Sequence, residues 1–312
     1  MKIGGVTIKE DFYSGTDLYS DGDIEDELLE IAREYSEESL NQVIKNRKSW
    51  PILYHFSDIR KNIISWLPIQ KSDNILEVGS GCGAVTGGLA EKAGKVICIE
   101  LSKKRSMINA YRNQNFDNIE ILLGNFQDIE PKLQVKYNYI TLIGVLEYAA
   151  LYISDENPFE EMLRRMERHL APNGKIIIAI ENRLGLKYWA GCAEDHNGLY
   201  FEGLEGYTQT GGAKTFSKKE LENIINSAGQ FDMSFYYPYP DYKFPMQIYS
   251  DDYLPRRGEL TNNICNMDRK RLCLFDETKV YDTLLESGMF AEFSNSFLVV
   301  LEKKQEMRGG CL

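Results

Sequence analysis

The run Ile75-Leu76-Glu77-Val78-Gly79-Ser80-Gly81-Cys82-Gly83 most narrows what this chain can fold into. An apolar strand runs into three glycines at alternate positions, and a helix is expected beyond them. Glycine lets the backbone turn tightly and approach a ligand where a Cβ would clash. The first turn of the following helix leaves N–H groups free for an anionic or polar ligand. Glu100 ends the next expected strand, 21 residues after Gly79. That spacing suits a carboxylate accepting both hydroxyls of a ribose.

The pattern continues in both directions. Strands are expected at 74–79, 95–101, 119–124, 139–145 and 175–180, alternating with helices at 84–93, 103–114 and 158–170. Asn157 and Pro158 mark the start of the last of these, and Pro172-Asn173-Gly174 the turn after it. A capping box, Ser217 with Glu220, opens a further helix. Two closing strands follow at 231–239 and 295–303. Such βα alternation predicts an α/β fold with a parallel sheet and helices on both faces. The expected core is a seven-stranded, mostly parallel, Rossmann-like sheet with an antiparallel last strand. Three parts are expected: a helical N-terminal cover over 1–70, the core over 71–304 and a flexible tail over 305–312. In the cover, Ile24, Leu28, Ile31 and Tyr35 recur at helical spacing after Asp23, the expected N-cap. Two insertions, 183–214 and 240–294, are too long for plain loops and are expected to form a lid or acceptor region.

Charge is uneven. The chain has 36 Lys+Arg against 47 Asp+Glu, for a net charge of -11. Residues 16–38 hold ten acids and the single base Arg33, so that segment carries -9 of it. The balance argues against nucleic-acid binding and against docking on an anionic membrane. The acidic run reads as an exposed helix face, or as a contact for a partner protein. No apolar run approaches the ~20 residues of a membrane span, and the first residues do not resemble a signal peptide. Cysteines 82, 98, 192, 265, 273 and 311 form no Cys-x-x-Cys pair. With only His55, His169 and His196 for company they suggest no metal site. They read as free thiols of a cytoplasmic protein.

Gly79, Gly81 and Ala84 also satisfy a relaxed dinucleotide fingerprint. Glu77, two residues before the first glycine, points elsewhere, because it can meet the ammonium of an amino-acid ligand. A Tyr-x-x-x-Lys string at 239–243 contains Pro240 and cannot sit mid-helix, where a reductase needs it. With these features the sequence resembles the class I S-adenosylmethionine (SAM)-dependent methyltransferases over roughly 70–302. The resemblance implies that Glu77, Gly79, Ser80, Gly81 and Gly83 hold the methionine end of SAM. It places Glu100 on the ribose, and Leu101, Asn125 and Phe126 around the adenine. The segment Gly144-Val145-Leu146-Glu147-Tyr148 then lines the methyl-transfer cleft. Short strings at 182–185, 203–207 and 240–245 resemble bacterial methyltransferases of cell-surface polysaccharide pathways.

Methyl transfer to a hydroxyl needs alignment and a base. His196, in the Gly-rich insertion, is the first candidate base, and Glu147 is a second catalytic candidate in the cleft or a plain helix residue. Tyr54 and His55 precede the core within reach of cofactor or acceptor. Tyr148, Asn182, Arg183 and Tyr207 are candidate acceptor contacts, Arg183 being either a clamp for an anion or a loop-anchoring ion pair. His169 reads as a helix-dipole partner. The expected activity is SAM-dependent methylation of a small-molecule hydroxyl, on a sugar or sugar phosphate. A quinone or natural-product acceptor and a non-catalytic SAM-binding subunit are the alternatives.

Overall fold

The computed structural model describes residues 1–17, 19–209, 211–263 and 271–304. The expected tail over 305–312, together with Cys265, Arg269, Lys270 and Cys311, lies outside the described residues.

Ten strands form one sheet: β1 (Lys2–Ile3), β2 (Val6–Phe12), β3 (Asn74–Val78), β4 (Lys95–Glu100), β5 (Ile119–Gly124), β6 (Tyr137–Ile143), β7 (Leu170–Glu181), β8 (Phe231–Tyr239), β9 (Gln247–Ser250) and β10 (Ser296–Lys303). Their order is β1-β2-β5-β4-β3-β6-β7-β10-β8-β9. Pairing is parallel from β2 through β7, and β10 runs antiparallel to both β7 and β8. The seven expected strands are therefore present, with the antiparallel last strand inserted as read. Three more extend the edges. The first twelve residues, expected to be helical, form a hairpin whose second strand pairs with β5. β9, from the second insertion, pairs with β8 at the other edge.

The apolar alternation of the strands fills two layers. On one face Leu76, Val78, Ile97 and Ile178 pack under helices Pro158–Glu167 and Lys218–Ala228. On the other, Ile75, Val96, Cys98 and Ile177 pack under helices Thr86–Lys92 and Lys103–Arg112. Ser217 and Glu220 make the capping box that the sequence signals, and its cap contributes about 1 kcal/mol. Asp23 and Asn157, by contrast, make no side-chain cap bond. Pro172-Asn173-Gly174 is no turn between elements. It lies within β7, with Asn173 at φ +60°, where the β6–β7 register shifts. His169 is paired with Glu130.

The N-terminal cover (helices Ile24–Glu34, Leu40–Arg47 and Trp50–Phe56) lies on helix Lys103–Arg112. Leu28, Ile31, Val43, Ile52 and Phe56 share a buried cluster with Ile108. Most acids of the cover are exposed, Asp23, Asp26, Glu30, Glu34 and Glu38 among them, but a subset turns onto the core. Glu25 is fully buried and accepts from Arg105 Nε at 2.7 Å, and Asp21 pairs with the same guanidinium. Asp17 accepts from the Ser102 hydroxyl and from the N–H groups of Lys103 and Lys104. Glu37 receives Arg112 in a two-bond fork, at 3.0 Å on each oxygen. Asp17, Asp21, Glu25 and Glu37 thus clasp the cover onto its own core. None of the described helices is long and apolar enough to cross a membrane.

Candidate active site

The chain visits β3, β4 and β5 in one direction across the sheet and then returns to place β6 on the other side of β3. Such a reversal leaves a crevice at the carboxyl ends of the strands. A cleft of about 530 Å³ opens there.

One end of the cleft is built by the glycine loop. Gly81 sits at φ +52°, and a Cβ built on it would meet nothing within 4 Å. The backbone therefore faces open space in a conformation that side chains resist. Its N–H donates to Glu100 Oε2 at 2.8 Å, while Ser102 N–H donates to Oε1 at 2.9 Å. Each carboxylate oxygen keeps a second acceptor direction for a hydroxyl. Burial raises the pKa of Glu100, opposed by the charge of Arg105 and by these backbone bonds. Gly79, Leu101, Asn125, Phe126 and Gly144 complete this end, with Tyr54 and His55 from the cover. Asn125 is partly engaged, its Oδ1 capping the short helix Phe126–Ile129.

At the other end three side chains converge. Glu147 follows β6, Glu181 ends β7 and His196 comes from the first insertion. Their donor atoms lie within 4.8 Å of one another. His196 Nε2 is 3.6 Å from Glu147 Oε1, and Nδ1 is 2.9 Å from Glu194 Oε1. Burial alone would lower the imidazole pKa, but Glu181, Glu147 and Glu194 outweigh it and hold it well above the usual range. These surroundings favour the protonated form of the ring. Oε2 of Glu147 and Oε2 of Glu181 are buried without a hydrogen-bond partner. No local sequence pattern signals that Glu147, Glu181 and His196 meet here.

A second set of groups was not foreseen in the sequence. Lys243 contacts Glu181 and lies 3.5 Å from Asp195, while Lys187 pairs with Asp195 at 2.8 Å and Asp241 at 2.7 Å. All line the cleft. Apart from Lys187 and Asp195, which are close in sequence, these partners are about 50 to 60 positions apart and meet because the insertions fold over the crevice. Only the Pro240–Pro245 string and the position of the insertions hinted at it.

A family model described as "Methyltransferase domain" matches residues 76–176, the stretch that holds the glycine loop, Glu100 and Glu147. Over residues 76–176 the core of this chain is similar to the methyltransferase domain family. Among curated relatives, ribosomal RNA small subunit methyltransferase A of Streptococcus equi subsp. zooepidemicus is 29% identical over 126 residues, covering 37% of this chain and 43% of the relative. A phosphoethanolamine N-methyltransferase of Triticum aestivum is 32% identical over 122 residues, covering 38% of this chain and 22% of the relative. The chain thus spans less than half the length of these relatives. Among solved structures, Haemonchus contortus phosphoethanolamine N-methyltransferase 1, in complex with phosphoethanolamine and S-adenosylhomocysteine, aligns with a TM-score of 0.49 at 12% identity. The alignment covers 91% of this chain and 52% of that one.

SAM is the cofactor of class I methyltransferase domains, and Gly79, Gly81, Glu100 and Leu101 line the cleft where it would lie. The open space beside Gly81 and the free acceptor directions of Glu100 suit the methionine and ribose ends. Three expected residues do not line the cleft. Glu77 is buried and turned away from the cleft, accepting from Thr86 Oγ1 at 2.6 Å and Cys98 Sγ at 3.4 Å. Gly83 is a packing position, since a Cβ there would lie 2.4 Å from Asn109 Oδ1. Ser80 is buried and does not line the cleft.

Among the acceptor candidates, Tyr148 lines the cleft of the methyltransferase domain, its ring edge-on to His196 at 5.5 Å. Asn182, Arg183 and Tyr207 do not line it. Asn182 donates to the carbonyls of Glu292 and Ser294, and Arg183 forks onto Glu220 and reaches Gly203 O. Tyr207 bonds Thr215 Oγ1 at 2.6 Å. Each holds an insertion in place.

Proposed function

We propose that this chain is a SAM-dependent methyltransferase acting on a hydroxyl of a small polar molecule, of the sugar or sugar-phosphate type. The observation that carries the reading is that one cleft holds both the glycine loop with Glu100 and, at its far end, the buried Glu147–His196 pair.

When bound, SAM supplies an electrophilic methyl group on a sulfonium. Glu100 and the loop backbone fix the ribose and the methionine end. The walls Tyr19, Trp50, Tyr54, Tyr148 and Phe244 offer flat apolar faces on which a sugar ring can lie, and they exclude water. Glu147 is the group that receives the hydroxyl proton, through the Oε2 that has no partner in the protein. His196, tied at Nδ1 to Glu194, holds Glu147 Oε1 from behind and keeps that oxygen aimed. A positioned proton acceptor is worth about 10²–10⁴ in rate. Lys187 and Lys243 supply positive charge where an acceptor phosphate would lie, although each is paired with an acid.

The test is transfer of tritiated methyl from SAM to a panel of sugars, sugar phosphates, phenols and amines. Labelled product from a sugar-type hydroxyl supports the reading. Transfer only to amines would overturn its acceptor part, and SAM binding with no transfer to any acceptor would favour a non-catalytic SAM-binding subunit.

A further inference from the structure

The structure assigns a divalent cation site to Glu147, Glu181 and His196 at the acceptor end of the cleft. The inference rests on the methyltransferase reading for its purpose but not for its geometry. Three donors of the right kinds, two carboxylates and one imidazole, lie within 4.8 Å of one another. Two further observations point to a missing occupant. Glu147 and Glu181 are 1% and 0% exposed, and each leaves Oε2 buried without a partner. Such orphaned charge is costly unless a ligand meets it. The second is the outer contact of the imidazole. Nδ1 is held by Glu194 at 2.9 Å, and Glu194 Oε2 is itself held by the N–H groups of His196 and Asn197. That carboxylate–histidine arrangement is how proteins orient a metal-ligating ring, and it leaves Nε2 facing the two acids.

Charge favours a cation. Glu147, Glu181, Glu194, Asp195 and Asp241 stand together against Lys187, Lys243 and His196. Lys243 occupies only Oε1 of Glu181, which it shares with the Tyr242 hydroxyl at 3.3 Å. A carboxylate-rich set with one imidazole and open positions suits Mn²⁺ or Mg²⁺ better than thiophilic metals. On binding, the cation takes the place of the proton on His196 Nε2, which leaves to solvent. An acceptor hydroxyl filling an open position loses its proton more readily, and the Glu147 oxygen not on the cation receives it.

The experiment uses the full chain stripped with a chelator. Mn²⁺ is titrated and free Mn²⁺ read by electron paramagnetic resonance, while S-adenosylhomocysteine binding is measured separately by calorimetry. One Mn²⁺ per chain is expected, with Mg²⁺ competing. Glu181→Gln and His196→Ala should each weaken Mn²⁺ about 10–100-fold while leaving S-adenosylhomocysteine affinity unchanged. Far-UV circular dichroism checks folding, and His196→Ala carries the comparison if Glu181→Gln does not fold. Wild-type protein that binds S-adenosylhomocysteine but no Mn²⁺, Mg²⁺ or Zn²⁺ would overturn the site, as would variants that bind Mn²⁺ as tightly as wild type. Loss of S-adenosylhomocysteine binding alone would instead strike the methyltransferase reading.

Discussion

Gly81 donates its backbone N–H to Glu100 Oε2 at 2.8 Å, so the loop after β3 and the acid at the end of β4 form one rigid unit. Substituting either should disable cofactor binding without unfolding the sheet. Gly81→Val places a branched side chain at φ +52°, which costs about 1–2 kcal/mol, and projects it into the ligand space. The expected outcome is no detectable S-adenosylhomocysteine binding by calorimetry, with far-UV circular dichroism preserved. Retained affinity would remove the loop from the site.

Glu77 should matter to stability rather than to the cofactor. Burial pushes its carboxyl up to about 7, against the hydrogen bonds of Thr86 and Cys98. An acid whose pKa is raised by folding stabilises the protein fully below its unfolded value near 4.5. That contribution is lost as pH rises through 7, and amounts to about 3 kcal/mol. Glu77→Gln should therefore flatten the fall in stability between about pH 4.5 and 7 that wild type shows in urea unfolding. Its S-adenosylhomocysteine affinity should be little changed. Parallel stability curves for the two proteins would contradict the assignment.

Arg105 holds the cover down. It bonds the fully buried Glu25 and also Asp21, and its guanidinium lies 4.3 Å from the centre of the Tyr19 ring. Arg105→Ala strands Glu25 and should cost about 3 kcal/mol in urea unfolding. Limited proteolysis should then cut first within residues 13–24. A loss below about 0.5 kcal/mol would mean that the acidic clasp is ordinary surface pairing.

Glu147→Gln keeps the shape of the cleft and removes the proton acceptor. Turnover of a methylated acceptor should fall about 10²-fold or more, with S-adenosylhomocysteine affinity held within about threefold. An unchanged rate would show that the hydroxyl proton leaves by another route.

The parallel sheet was legible because its strands are short apolar runs separated by helices with marked caps, as at Ser217 and Glu220. The glycine-loop end of the cleft was legible because Gly79 and Gly81 follow β3 directly while Glu100 ends the neighbouring β4. Glu77 misled, since it belongs to the same string yet its side chain reaches Thr86 beneath the loop. The acidic cover was read in part, as an exposed face, which most of its acids form. Composition shows the charges of Asp17, Asp21 and Glu25 but not that Ser102, Lys103 and Arg105 rise to meet them. The acceptor corner was half read: Glu147 and His196 were singled out, while Glu181, Lys187, Asp241 and Lys243 carry no local pattern. Only the folding of both insertions over the crevice brings them together.

The account stands most directly on what the cleft binds. Calorimetry of the wild-type chain and of Glu100→Ala with S-adenosylhomocysteine, with NAD as the control, decides it. One S-adenosylhomocysteine is expected per wild-type chain, with at least about tenfold weaker binding by Glu100→Ala and no NAD binding by either. Binding of NAD in place of S-adenosylhomocysteine, or full affinity in Glu100→Ala, would contradict it.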